Sequence, residues 1–301
     1  MGAKQKSLSA SGILLIDKPR GITSNAALGR AKRVLGIKKA GHTGTLDPMA
    51  SGLLALCFGE ATKVSAFLLD GDKSYLAEVT LGVTTDSEDA EGSVLEEKPV
   101  PALDEPAIES VLARFRGAIE QVPPMFSALK HQGKRLYELA RKGEQVERPA
   151  RSVTIHELEL LGFDGQRLRI AVSCSKGTYI RSLARDIGEA LGCGAHLSAL
   201  RRTGSAPFSV ENAVDLEQLD ELDREQARAL LQPADTALPG LPAVHLDASQ
   251  AANLGHGRPV RLSPAPAGGL VRVYGEGRFM AIGESDGQGN LQSRRLFHAN
   301  D

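Results

Sequence analysis

The sequence predicts an α+β protein in which a mixed or antiparallel central sheet is flanked by helices and a small β-rich domain follows at the C-terminal end. Three observations carry this. Strand-like and helix-like apolar patterns alternate irregularly, with several strands in succession, unlike a strict βαβ series. Hydrophobic residues make up 42% and charged residues 24% of 301 positions, the balance of a globular chain long enough for about two domains. Pro233, Pro239, Gly240 and Pro242 cluster between Gln232 and Pro242, which marks a linker. The expected domains are therefore 1–235 and 242–301.

The elements follow in order. Ile13 to Ile16 is a short apolar run ending at Asp17-Lys18-Pro19, expected as a buried strand. Ala27, Leu28, Ala31, Val34 and Leu35 recur at helical spacing, with Ser24 as the expected N-cap and Gly36 as the stop. Leu53 to Phe58 and Ser74 to Leu81 read as strands. Asp104 and Pro106 open a helix with Ile108, Val111, Leu112 and Phe115 on one face. Leu168, Ile170, Val172 and Cys174 alternate as a half-buried strand. Ile180, Leu183, Ala184, Ile187 and Leu191 then trace a helix that stops at Gly192, and Asp215 caps a further acidic helix. Past the linker, 270–274 and 278–282 flank Gly275-Glu276-Gly277 as a hairpin.

Composition also excludes classes. Cys57, Cys174 and Cys193 are odd in number and far apart, which argues against a disulfide framework or a zinc site and for a reducing, cytoplasmic setting. No secretory signal is read at the N-terminus, and no apolar run approaches the ~20 residues of a membrane span. The net charge of −1 excludes whole-chain basicity, but the charges are segregated. Seven Lys and Arg between Asp17 and His42 face the single acid Asp17, and seven between Ala128 and Arg151 face three. Such faces suit a polyanion, or are ordinary solvated surface. The stretch from 123 to 150 has no hydrophobic period. It reads as a functional basic loop or as a tolerated insertion.

The densest chemical signal is Ala40-Gly-His-Thr-Gly-Thr-Leu-Asp-Pro-Met-Ala-Ser-Gly52. Gly41 and Gly44 permit backbone approaches that a Cβ would block, and Pro48 fixes the backbone just after Asp47. Asp47 held on such a loop is a nucleophile or base, or else an N-cap or Asx-turn residue.

That segment, together with Gly12-Ile-Leu-Leu-Ile-Asp-Lys-Pro, Gly59-Glu-Ala-Thr-Lys63, Asp72-Lys-Ser-Tyr75, Gln121-Val-Pro-Pro-Met-Phe-Ser-Ala-Leu-Lys130, Cys174-Ser-Lys-Gly-Thr-Tyr-Ile-Arg181 and Leu200-Arg-Arg-Thr-Gly204, resembles the TruB family of tRNA pseudouridine synthases. The blocks run in order over roughly the first 210 residues. The resemblance implies a pseudouridine synthase fold with a PUA-like end domain. It implies isomerisation of uridine at position 55 in the T loop of tRNA, after the base leaves its stack. It makes Asp47 the catalytic aspartate, Arg181 its partner, and Tyr75 the residue against the target base. Without the resemblance, Arg181 reads equally as a solvated helix arginine and Tyr75 as a sheet tyrosine. Tyr179 and the backbone near Leu200 would hold the base, and His42 would fill the vacated space. Lys18 and Lys63 would contact phosphate or support loops, and the 123–150 insertion, with Lys130, Lys134, Arg135 and Arg141, would clamp RNA. No cofactor, metal, membrane or obligate protein partner is expected, and the chain reads as a monomer. The alternatives are a non-catalytic RNA-folding protein and an aspartate-dependent hydrolase of small molecules, the latter leaving the basic segments unexplained.

Overall fold

The computed structural model describes residues 10–298 apart from 128, 132, 141 and 145. Its main sheet has ten strands. Across it run Val214–Asp215, Gly12–Lys18, Ser51–Phe58, Ala195–Ser205, Lys73–Leu81, Arg167–Cys174, Arg151–Phe163 and Gly117–Gln121, with Ala40–His42 and Phe208–Ser209 paired at the side. The pairing is antiparallel except where Gly12–Lys18 meets Val214–Asp215 and where Ala195–Ser205 meets Ser51–Phe58. A mixed sheet is what the irregular alternation of patterns requires.

Each strand faces a core in the way its sequence dictates. Ser51–Phe58 lies centrally, and from Gly52 onward every residue is buried, as a continuous apolar run demands. Lys73–Leu81 instead alternates, placing Tyr75, Ala77, Val79 and Leu81 toward the helix Ile180–Ala190. That helix seats Ile180, Leu183, Ala184 and Ile187 on the sheet. Burying each Ile or Leu contributes roughly 1.5–3 kcal/mol, enough to fix its N-terminal end against the strands.

The cap of the first helix differs from the expectation. Thr23, not Ser24, is the N-cap of Ser24–Leu35, its hydroxyl accepting from the Ala26 N–H. Ser24 is buried and used elsewhere. Gly36 ends the helix with φ at +67°. This basic helix packs against the acidic helix Leu216–Glu221 and the helix Arg224–Ala229, and Arg30 pairs with Asp220. The segregation of charge along the sequence is thus partly undone by folding.

The second sheet runs Ala243–Leu246, Gly269–Gly275, Arg278–Ser285, Asn290–Leu296 and Val260–Arg261. Its hairpin turns through Glu276 and Gly277, both with positive φ, the geometry that matches strand twist. The Pro-rich connection is packed, not free: Ala237 and Leu238 join a core that also takes Ile282, Phe279 and Phe297 from the second sheet.

Candidate active site

The site is built around the loop from Thr43 to Ala50, and the surrounding elements hold that loop at nearly every peptide. Thr43 donates from its backbone N and its hydroxyl to the Ala55 carbonyl. The Gly44 carbonyl accepts from Arg202 at 3.2 Å. Leu46 and the Ser24 hydroxyl exchange two hydrogen bonds, 2.8 and 3.1 Å. The Pro48 carbonyl accepts from Gly21 N and the Met49 carbonyl from Arg20, while Ala50 N closes a turn on the Asp47 carbonyl. Gly44 has φ at +98°, which a side chain would strain. Leu46 and Met49 are buried on either side of Asp47, whose side chain keeps 37% exposure.

Arg181 meets Asp47 from the first turn of Ile180–Ala190, Nη2 to Oδ2 at 3.1 Å, and is itself only 5% exposed. It is not the solvated helix arginine of the bland reading. The same guanidinium reaches Asp89 at 3.4 Å and donates to the carbonyls of Ser87 and Phe126 at 3.1 and 2.8 Å. One cation therefore orients two carboxylates and two loops. Burial pushes the Asp47 carboxyl above its ordinary value; Arg181 and Lys18 pull it down, and the charge on Asp89 pushes it up. The carboxylate is thus fixed in direction while remaining more basic than a solvated aspartate.

Asp89 and Arg202 are the residues that sequence reasoning missed. Asp89 sits in the acidic stretch Asp86–Glu97, which reads as soluble surface. In the fold it is buried, accepts from the Ser87 hydroxyl at 2.5 Å and from Glu91 N at 3.0 Å, and faces Arg181. Next to it, Glu88 is held with φ at +63° and accepts from Ser182 and from Arg185. Arg202 lies within the Leu200–Gly204 block and donates to the Leu53 carbonyl at 2.7 Å. The only sequence cue for Arg202 was its place in a block whose Leu200 already had a role, and for Asp89 its place in an acidic run.

The other expected residues divide. Tyr75 lies opposite Arg202 in register; burial raises its phenol, while the Arg202 charge lowers it. His42 is half-buried in Ala40–His42, its Nδ1 has no hydrogen-bond partner among the described residues, and burial together with Arg202 lowers its pKa. Tyr179 caps the Arg181 helix. Its backbone is clamped by the Gln121 amide at 2.8 and 3.0 Å, and its ring lies 4.7 Å from the Arg151 guanidinium carbon. Leu200 stands opposite Ala77 and packs against the main core.

Lys18 is wholly buried and donates at 2.8 Å to the carbonyls of Pro19 and Ile22, so it supports the turn before the first helix and does not offer its charge at the surface. Burial lowers it to about 8, against the pull of Asp47. The Lys63 ammonium meets Glu60, the Leu296 carbonyl and the Phe297 ring at the junction with the second sheet, where it supports that junction. In the insertion, Lys130–His131 and Lys134–Arg135 pair as a two-stranded ribbon, and Lys134 is exposed. Arg141 lies outside the described residues. Among the described residues, no cluster of His, Cys, Asp and Glu could hold a metal, and no helix is long and apolar enough to cross a membrane.

Comparison with known proteins fits this geometry. Residues 32–180 match the TruB family pseudouridylate synthase N-terminal domain. Residues 181–239 match the tRNA pseudouridylate synthase B C-terminal domain, and 242–297 match the pseudouridine synthase II TruB C-terminal model. The chain is 58% identical to tRNA pseudouridine synthase B of Aromatoleum aromaticum, over 95% of this chain and 92% of that one. It is 53% identical to the protein of the same name from Stutzerimonas stutzeri, over 96% of both. The chain belongs to the TruB family of pseudouridine synthases. Such enzymes are isomerases, and the family's fold is seen in two solved structures. One is an H/ACA RNP bound to a substrate RNA containing 2′-deoxyuridine, with a TM-score of 0.72, 27% identity and coverage of 99% of this chain and 89% of that one. The other is a Cbf5-Nop10-Gar1 complex, with a TM-score of 0.72, 29% identity and coverage of 98% and 87%. In this TruB chain the boundary between the last two matched regions, 239 and 242, falls in the packed Pro-rich connection.

Proposed function

We propose that this chain isomerises uridine to pseudouridine in tRNA, at position 55 of the T loop, acting as a cytoplasmic monomer without a cofactor or an obligate protein partner. The substrate class follows the relatives named tRNA pseudouridine synthase B. The observation that carries the reading is a part-exposed Asp47 carboxylate on a loop tethered at nearly every peptide, ion-paired to a buried arginine.

The reaction is internally balanced. The bond from C1′ to N1 breaks, the uracil turns, and C1′ joins C5. The C5 proton leaves and N1 gains one. Asp47 acts in its ionised form at the sugar or base, and Arg181 holds it at one angle, so little reorganisation is needed when charge moves. Tyr75 flanks the everted base on the sheet side, with Tyr179 and the Leu200 backbone bounding the same space, and His42 fills the gap left in the RNA. The insertion's cations, Lys130, Lys134, Arg135 and Arg141, contact phosphates, and their contribution is lost with salt.

The test is to incubate purified chain with unmodified tRNA, with nothing else added, and to map pseudouridine by position. A single new pseudouridine at position 55 is expected. No product, or product at other positions only, overturns the reading.

A further inference from the structure

Arg202 is among the largest buried side chains of the molecule, yet its hydrogen bonds among the described residues go to backbone carbonyls, not to a carboxylate. Taking a guanidinium out of water costs several kcal/mol, and an apolar side chain would fill the same space without that cost. The surroundings make a cation still less natural as filler, because Lys18, Lys73 and His42 all feel its charge unfavourably.

Its contacts have a pattern. Nη2 holds the Gly44 carbonyl, three residues before Asp47, and Nε holds the Leu53 carbonyl, six residues after it. The side chain thus clasps both ends of the catalytic loop. Its backbone does the same from below. Arg202 is the parallel partner of Gly52, whose φ is +101°, and a Cβ there would stand 2.2 Å from the Arg202 carbonyl oxygen. On its other edge Arg202 is the direct antiparallel partner of Tyr75, and its charge bears on the phenol.

We propose that Arg202 is a positioning residue of the reaction, a buried cation that registers the Asp47 loop against the Tyr75 hydroxyl. It touches neither reacting atom; it sets the spacing between the two groups that do. This rests on the pseudouridine synthase reading above.

The experiment uses the full chain and tRNA, with wild type, Arg202→Gln, Arg202→Lys, Tyr75→Phe and the Arg202→Gln/Tyr75→Phe pair assayed together. A displacement of about 1 Å at a reacting group costs on the order of 10²-fold in rate, so Arg202→Gln is expected to lose about that much in kcat. KM should move by less than about twofold, since the loss falls on the chemical step. Arg202→Lys keeps the charge and one donor and should recover part of the loss. The Gln substitution should lose less in the Tyr75→Phe background than in wild type, because part of its effect runs through the phenol. A filler residue gives no such coupling. Equal losses in both backgrounds, a loss confined to KM, or wild-type turnover in Arg202→Gln would overturn the proposal. If Arg202→Gln does not fold, the same cycle with Arg202→Lys decides it by the same criteria. An inactive wild type would sink the functional reading instead, so the two failures are distinct.

Discussion

The loop around Asp47 and the insertion between 123 and 150 look alike in sequence, since both lack a hydrophobic period and both carry glycine and proline. Both also end at Arg181, one through a carboxylate and the other through the Phe126 carbonyl. Their support differs. The Asp47 loop is tied to six residues from four other parts of the chain: Arg20, Gly21 and Ser24 in one, then Ala55, Arg202 and Arg181. Among the described residues, the insertion meets the rest of the chain where its Phe126 carbonyl accepts from Arg181, Arg148 closes its base on the Pro123 carbonyl, and other bonds run within it. Leu136 N to the Leu129 carbonyl and Glu144 N to the Leu139 carbonyl are of that kind. Ties to distant elements fix a loop's place in the fold, whereas bonds within a segment fix only its own shape. The difference teaches that aperiodic sequence conceals two different kinds of support.

The largest way to break the contrast is to remove the residue both regions share. Arg181→Met leaves Asp89 buried without its cation, and removing one partner of a buried pair typically costs 3–5 kcal/mol, a figure to be read from urea denaturation. The same variant tests the electrostatics. Arg181 lowers the Asp47 pKa, so its loss raises that pKa, and the acid limb of the pH–rate profile should move to higher pH. An acid limb that stays in place would detach Arg181 from Asp47.

A smaller effect sharpens the Asp47 side alone. Ser24→Ala removes the hydroxyl that answers both polar groups of Leu46, leaving a buried N–H unsatisfied at a cost of about 1–3 kcal/mol. Turnover should fall while tRNA affinity holds, as measured by single-turnover rate against binding. The smallest effect belongs to the insertion. Lys134→Ala should lower the slope of log affinity against log salt by about 1 and leave the rate at saturating tRNA unchanged. A change in the saturated rate would mean the insertion takes part in the chemistry.

Much of the fold was legible because its signals are local. The strand from Leu53 to Phe58, the Gly36 stop, the Asp104 and Asp215 caps and the C-terminal hairpin depend on neighbours a few residues away. Asp47, Tyr75 and Arg181 could be named as candidates from blocks that resemble a family, and the fold brings Asp47 and Arg181 into contact. What escaped depends on distant partners. Ser24 reads as a cap because serine before a helix usually is one, but Thr23 takes that place and frees Ser24 for a contact 22 residues on. Arg202 meets a carbonyl 158 residues away, and Asp89 looks like any acid in an exposed acidic run until the helix bearing Arg181 packs over it. The contacts of Lys63 were hidden for the same reason, since they include a carbonyl of the second sheet.

The central claim, that the Asp47 carboxylate carries the reaction and not the grip on RNA, is most directly tested by Asp47→Asn. This change keeps the size of the side chain and removes its charge. Pseudouridine formation and tRNA binding should be measured on the same preparation. The account predicts binding close to wild type with no pseudouridine formed. Substantial turnover by Asp47→Asn, or loss of binding in step with activity, would contradict it.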